Sequence, residues 1–315
     1  TPTWTSVFSD EITRIGAERA DVVCITAAMQ NPTGLGQFAA AFPDRVFDVG
    51  IAEQHAVTAA AGMAMGGLHP VVAIYAAFIG RALDQLIMDV ALHRLPVTIV
   101  TDRAGVTGPD GPSHHGMWDA SWLPVVPGIG VAAPRDPARL RELLREAVAV
   151  TDGPTVVRYP KSAAGSDIPA VRRVGRCDLL REDPGGRVLL VPVGPLAGAC
   201  LEAAGELSSS GVAVSVVDPR WTVPLDPELL ELADAHQLVL CVEDSTTIGA
   251  MGSRVAQALA TMGSNALAAT FALPARFLPH ASRTETLRAH GLDASGISAT
   301  VLKRLAYLDK AEDLL

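Results

Sequence analysis

The sequence predicts an α/β protein of two domains, each a mostly parallel sheet with helices on both faces. Three observations carry this. A chain of 315 residues exceeds what one compact core holds. Short apolar runs alternate with helical patterns almost from end to end, the mark of βα units. Hydrophobic residues make up 49% but aromatics only 4%, so Ala, Val and Leu build the core, as suits helices packed on buried parallel strands.

Taken in order, residues 21–26 read as a buried strand, followed by Gly34, Gly36 and a helical stretch to the Phe42-Pro43 break. Residues 46–49 form a second apolar run. Residues 52–65 are Ala-rich with helical spacing and end at Gly66-Gly67. Residues 70–75 read as a strand, 78–93 as a helix, 96–101 as a Val/Ile/Thr strand, 137–150 as an amphipathic helix and 155–158 as a strand. Residues 161–186 are polar and interrupted by Gly, Pro and Ser, and read as the interdomain linker. Alternation then resumes with strands at 188–193, 212–217, 239–243 and 268–273, and helices up to 207, after Pro227 and over 248–260. The expected division is a first domain over 1–160, the linker, and a second domain over 187–315.

Composition excludes several functions. A net charge of −9, without a long basic run, makes nucleic acid and anionic membranes poor partners. No apolar stretch approaches the ~20 residues of a membrane span, and no charged-then-apolar leader opens the chain. Cys24, Cys177, Cys200 and Cys241 are scattered, without CxxC pairs or nearby His at ligand spacing. The reading is a soluble, cytoplasmic chain with reduced, buried thiols and no metal site of its own.

The segment DRAGVTGPDGPSHHGMWDASW (102–122) breaks the alternation. A loop this long inside a compact domain is functional or disordered, and its two tryptophans and paired histidines favour an ordered active-site loop. Within it Asp110, His114 and His115 are candidates for proton movement. Glu53 opens the Ala-rich helix beside Ile51 and Ala52. It fits a helix-initiating acid and equally a carboxylate among apolar neighbours, suited to sharing a proton. Tyr75, Phe78 and Arg81 cluster where a strand gives way to a helix, the end of an open α/β sheet at which ligands bind. Arg158 ends a strand, where it suits either a phosphate contact or an interdomain ion pair.

In this order the segments FPDRVFDVGIAEQHAVTAAAGMA, HPVVAIYAAFIGRALDQLIMDVALHRLPV, DRAGVTGPDGPSHHGMWD, DGPTVVRYPK, VEDSTTIGAMGS and LPHASRTETLRAHGLDASGI resemble the 1-deoxy-D-xylulose-5-phosphate synthases of the transketolase family. The likeness runs along the whole chain and is limited to that family's pyrimidine-binding and C-terminal domains. It implies that Glu53 hydrogen-bonds a ring nitrogen of the aminopyrimidine of thiamine diphosphate, that Phe78 packs on that ring, and that Ile51 supports the bent cofactor. It implies further that Tyr75, Arg81 and Arg158 surround the acceptor aldehyde and its phosphate, while Asp110 and His114 orient substrate and relay protons. In such enzymes pyruvate adds to the cofactor, loses CO2, and the remainder attacks glyceraldehyde 3-phosphate.

The resemblance also implies Mg²⁺, held with the cofactor's diphosphate by a GDG motif and a downstream Asn. Here the DG pairs at Asp110 and Asp152 stand in PDGP and TDGP instead. The Mg²⁺ ligands are therefore expected on an N-terminal half, either a separate subunit or a missing segment, and the assembly is expected to be a homodimer or heterotetramer. Ala76, Ala77 and Gly80 stand where larger or hydroxyl-bearing residues are expected, and Ala250-Met251 replaces a more glycine-rich pair. Two other readings stay open: a β-type subunit of a split transketolase or 2-oxoacid dehydrogenase, and a non-catalytic scaffold homologue.

Overall fold

The computed structural model describes residues 1–312, and their side chains to residue 310. Thirteen strands form two sheets among these residues: β1 (Val22–Thr26), β2 (Val46–Asp48), β3 (His69–Tyr75), β4 (Thr98–Asp102), β5 (Gly130–Ala132), β6 (Thr155–Tyr159), β7 (Arg172–Val174), β8 (Cys177–Arg181), β9 (Val188–Pro192), β10 (Val214–Asp218), β11 (Trp221–Val223), β12 (Leu238–Thr246) and β13 (Leu267–Leu273). The first sheet runs β11-β5-β6-β4-β3-β1-β2 and the second β13-β12-β9-β10-β8-β7. Strands β5 to β2 of the first sheet are all parallel, as are β13 to β10 of the second. Both sheets carry apolar packing on two faces. In the first, the helix Glu53–Met65 covers one face, and the helices Trp4–Glu18 and Pro137–Ala149 cover the other. The expected architecture is the observed one.

Three departures are informative. The second half of the expected linker folds into the hairpin β7–β8, which extends the second sheet through β10. Strand β8 is buried apart from its last residue, whereas β7, at the sheet edge, keeps its two arginines exposed, the usual guard of an edge. Strand β11, in the second half of the chain, crosses back and pairs antiparallel with β5, so residues 221–223 complete the first sheet. The expected helix over 78–93 is broken into a 3₁₀ turn at Ile79–Ala82, a single α-turn, and a π-helical stretch at Leu86–Ala91. The helices Trp4–Glu18, Arg283–Ala289 and Ala294–Glu312 add to the elements read from the sequence. The first is started by a capping box between Thr3 and Ser6. All four cysteines are buried and unbridged.

Register sets the site. Tyr75 lies opposite Asp102, and Asp102 opposite Tyr159, so β3, β4 and β6 end level and their following loops rise together. The two domains are locked by Arg135, whose fully buried guanidinium reaches Asp178 and Asp218 of the second sheet at 2.6 Å each, Asp136 at 3.0 Å and the carbonyl of Ile168 at 2.8 Å. Arg135→Met leaves three carboxylates facing one another in the interior, and denaturant unfolding should show a loss of about 3–5 kcal/mol.

At the start of β3, His69 is buried against Thr98 Oγ1 (2.9 Å), and burial pushes its pKa down from 6.5 to about 4. The unfolded chain therefore takes the proton first. Stability is complete above about pH 6.5 and falls as pH drops toward 4. His69→Gln should shrink the loss of unfolding free energy between pH 7 and pH 4.5 by about 2–3 kcal/mol, measured by denaturant titration at both pH values.

Candidate active site at the strand ends

Glu53 is the first residue of its helix, after Gly50, whose positive φ (+70°) turns the chain off β2. The side chain points inward and is buried, and its two oxygens share one nitrogen, Arg81 Nη1, at 3.2 and 3.3 Å. The rest of Arg81 is open, with about half its side chain exposed. Its guanidinium also lies 5.1 Å from the centre of the Phe78 ring.

From Phe78 the contacts continue without a gap. Its ring stacks on Tyr75 (5.7 Å between centres, 28° between planes) and meets His114 edge-on at 5.5 Å. Tyr75 in turn carries the guanidinium of Arg103 at 4.0 Å from its ring centre. Arg103 Nη1 donates to Asp110 at 2.7 Å, and Lys161 Nζ reaches both oxygens of Asp110 at 2.9 and 2.7 Å. Burial works against the Asp110 carboxylate, but the two cations outweigh it and hold its pKa below the usual range. Burial raises the Tyr75 phenol. Beneath Arg103, Asp102 is buried with Oδ2 accepting from Thr5 Oγ1 (2.8 Å) and Oδ1 without a partner, and burial pushes its pKa to about 6.

Six residues expected at the site, Glu53, Tyr75, Phe78, Arg81, Asp110 and His114, thus fall in one contact chain. Ile51, two residues before Glu53, is 80% exposed. Arg158 is committed elsewhere: its guanidinium is buried, and Nε and Nη2 grip Asp119 at 3.1 and 2.9 Å. Of its two readings the structure supplies an ion pair, made within the first domain rather than between domains. His115 is also turned away, buried with Nδ1 accepting from the amide of Thr107 (3.2 Å). The cluster gains Arg103 and Lys161 instead. Both stand in the DRAG and RYPK segments, immediately past the ends of β4 and β6, which is the signal that marks them. Ala76 is buried against Gly116, where an added Cβ would collide with it.

The donor set fits one end of a thiamine-type cofactor: a buried carboxylate for a ring nitrogen, an aromatic face, and an exposed apolar residue beside them. Among the described residues no group of three or more His, Cys, Asp or Glu could hold a metal ion. No described helix is long and apolar enough to cross a membrane. A cavity of about 520 Å³ lies at the far ends of the strands, lined by Arg94, Arg176 and Trp221, and is separate from this cluster.

The chain is similar to the 1-deoxy-D-xylulose-5-phosphate synthase of Thermobifida fusca, 57% identical over 96% of this chain and 48% of that protein. It is equally similar to 1-deoxy-D-xylulose-5-phosphate synthase 1 of Kitasatospora griseola, at 57% over 94% of this chain and 46% of the relative. It therefore spans about half the length of these relatives. Among solved structures it resembles a split-gene transketolase described as an inactive β4 tetramer (TM-score 0.83, 29% identity, covering 96% of this chain and 98% of that one). The fold of the Campylobacter jejuni transketolase is also similar (TM-score 0.80, 17% identity, covering 96% of this chain and 46% of that one). Residues 1–166 match the transketolase pyrimidine binding domain and residues 175–297 the transketolase C-terminal domain. Its two matched domains, in this order, make the chain a member of the transketolase family.

Proposed function

We propose that this chain is the pyrimidine-binding and C-terminal portion of a thiamine-diphosphate-dependent transferase that condenses pyruvate with glyceraldehyde 3-phosphate, releasing CO2 and forming 1-deoxyxylulose 5-phosphate. The observation that carries the reading is identity of 55–57% with synthases of that name along nearly the whole chain. An N-terminal portion, as a further segment or a separate subunit, would hold the diphosphate and Mg²⁺.

The cofactor, when bound, supplies the carbon nucleophile. In this reading Glu53 would hold a proton at the pyrimidine nitrogen, Phe78 would cover the ring face, and Ile51 would add an apolar contact to the cofactor. Arg81, half exposed and bound to Glu53 through one nitrogen, would be free to turn with Tyr75 toward the acceptor. Arg103 and Lys161 provide positive charge for a phosphate, and Asp110 fixes both in place. His114, half-buried against Phe78, is the group placed to move a proton at the acceptor oxygen.

A second reading is favoured by the split-gene transketolase, whose chain has the same extent as this one. In that reading the chain is a subunit that transfers ketol units between sugar phosphates. Mixing the chain with an N-terminal half, thiamine diphosphate and Mg²⁺ separates the two. CO2 and a deoxypentulose phosphate from pyruvate support the synthase, whereas ketol exchange without CO2 favours the transketolase. Glu53→Gln should lower kcat at least about 100-fold in that assembly with an unchanged melting temperature. A scaffold homologue would show no change. Arg103→Met should raise the KM for the phosphorylated acceptor about 10-fold or more, from loss of charge-assisted hydrogen bonds, while the KM for pyruvate stays within twofold.

A further inference from the structure

The loop carrying Asp110 and His114 belongs to the first domain, yet it is held by the second. Three of its glycines, Gly105, Gly108 and Gly111, have φ of +75°, +87° and +77°. Each lies against a residue of the second domain, and a Cβ added to any of them would collide there: with the Asp244 carboxylate at Gly105, with the backbone of Ala281–Arg283 at Gly108, and with the His280 ring at Gly111. Polar bonds follow the same line. Asp244, buried and paired with Arg283, accepts from the amide of Val106 at 3.0 Å, and Arg283 Nη1 donates to the carbonyl of Val106 at 2.8 Å. His280 Nδ1 donates to the carbonyl of Pro109 at 3.1 Å.

His280 therefore touches the chain on both sides of Asp110, bonding the residue before it and covering the glycine after it. The carbonyl of that same glycine accepts from the amide of His114 at 3.0 Å, so one turn links the His280 contact to both candidate site residues. We propose that His280 is a positioning residue. From the second domain it fixes the turn that aims Asp110 at Arg103 and Lys161 and sets His114 against Phe78. A domain with no member in the contact chain thereby sets its geometry. This rests on the functional reading above and adds a residue to it.

Two measurements on His280→Phe, which keeps a ring over Gly111 and removes the donor, test this. On the chain alone, amide hydrogen exchange over residues 105–117 should quicken about five- to tenfold, the worth of one neutral hydrogen bond, with β3 and β4 unchanged. In the reconstituted assembly the KM for the phosphorylated acceptor should rise by a similar factor while the KM for pyruvate stays within twofold. His280→Asn, whose amide can donate to the same carbonyl, should recover most of both. Unchanged exchange over 105–117 overturns the proposal. So does faster exchange with an unchanged acceptor KM, since His280 would then be a fastening alone. An assembly that makes no deoxypentulose phosphate overturns the reaction assigned above; the exchange measurement then decides for or against His280 by itself, because it needs no turnover.

Discussion

The site depends on a buried cation between the two sheets. Burying a guanidinium is unfavourable unless its donors are met. Arg135, which follows β5, meets Asp136 in its own domain and Asp178 and Asp218 in the second, as well as the carbonyl of Ile168. Strand β11 returns to β5 next to this knot, and Arg220, nearly fully buried, bonds Glu142 at 2.9 Å in the first domain's last helix. Because an unpaired charge there would be so costly, the two sheets have one favourable arrangement. Only in that arrangement do Asp244 and His280 reach the glycines of the loop.

At the strand ends the chemistry is one of neutralised charge on an open surface. Asp110 is matched by two cations and Glu53 by one, with aromatic rings between the two pairs. Pairs of this kind are weak while water reaches them and strong once it is excluded. Ile51, two residues before Glu53, is an apolar side chain left 80% exposed. The cofactor ring and the proposed N-terminal portion would together cover it, and the same event would raise the electrostatic strength of every contact in the chain from Glu53 to Lys161.

Much of this was legible in the sequence, and the exceptions have physical causes. The parallel strands could be read because they are buried on both faces and appear as continuous runs of Val, Ile, Leu and Thr, as at 98–101 and 188–191. Glu53, Tyr75 and Phe78 could be read because they stand at or just past the ends of such runs, and Asp110 because it lies in an overlong loop. Strands β7 and β11 are three residues each, too short for any period to show. Arg158 misled because a strand-end arginine looks alike whether it faces a ligand or a buried Asp119, and only the fold brings Asp119 to it. His280 lies 169 residues from Gly111, and nothing local to either announces the contact.

The pairing of Glu53 with Arg81 bears directly on the proposed chemistry, since a carboxylate held by a guanidinium cannot also serve a ring nitrogen. The geometry weighs against a tight hold. One nitrogen is shared between two oxygens at 3.2 and 3.3 Å, not the parallel fork by which Arg158 grips Asp119 at 3.1 and 2.9 Å. About half of the Arg81 side chain lies in water, and ion pairs with an exposed partner contribute about 0–1 kcal/mol. Glu53 is the reverse, buried and fixed at the head of its helix. Release in the proposed reaction would therefore move only the solvated partner, and the carboxylate would keep its place. A buried acid with a mobile, weakly held counter-ion suits a site in which a neutral ring must displace a charge, and an equally buried arginine would have closed it.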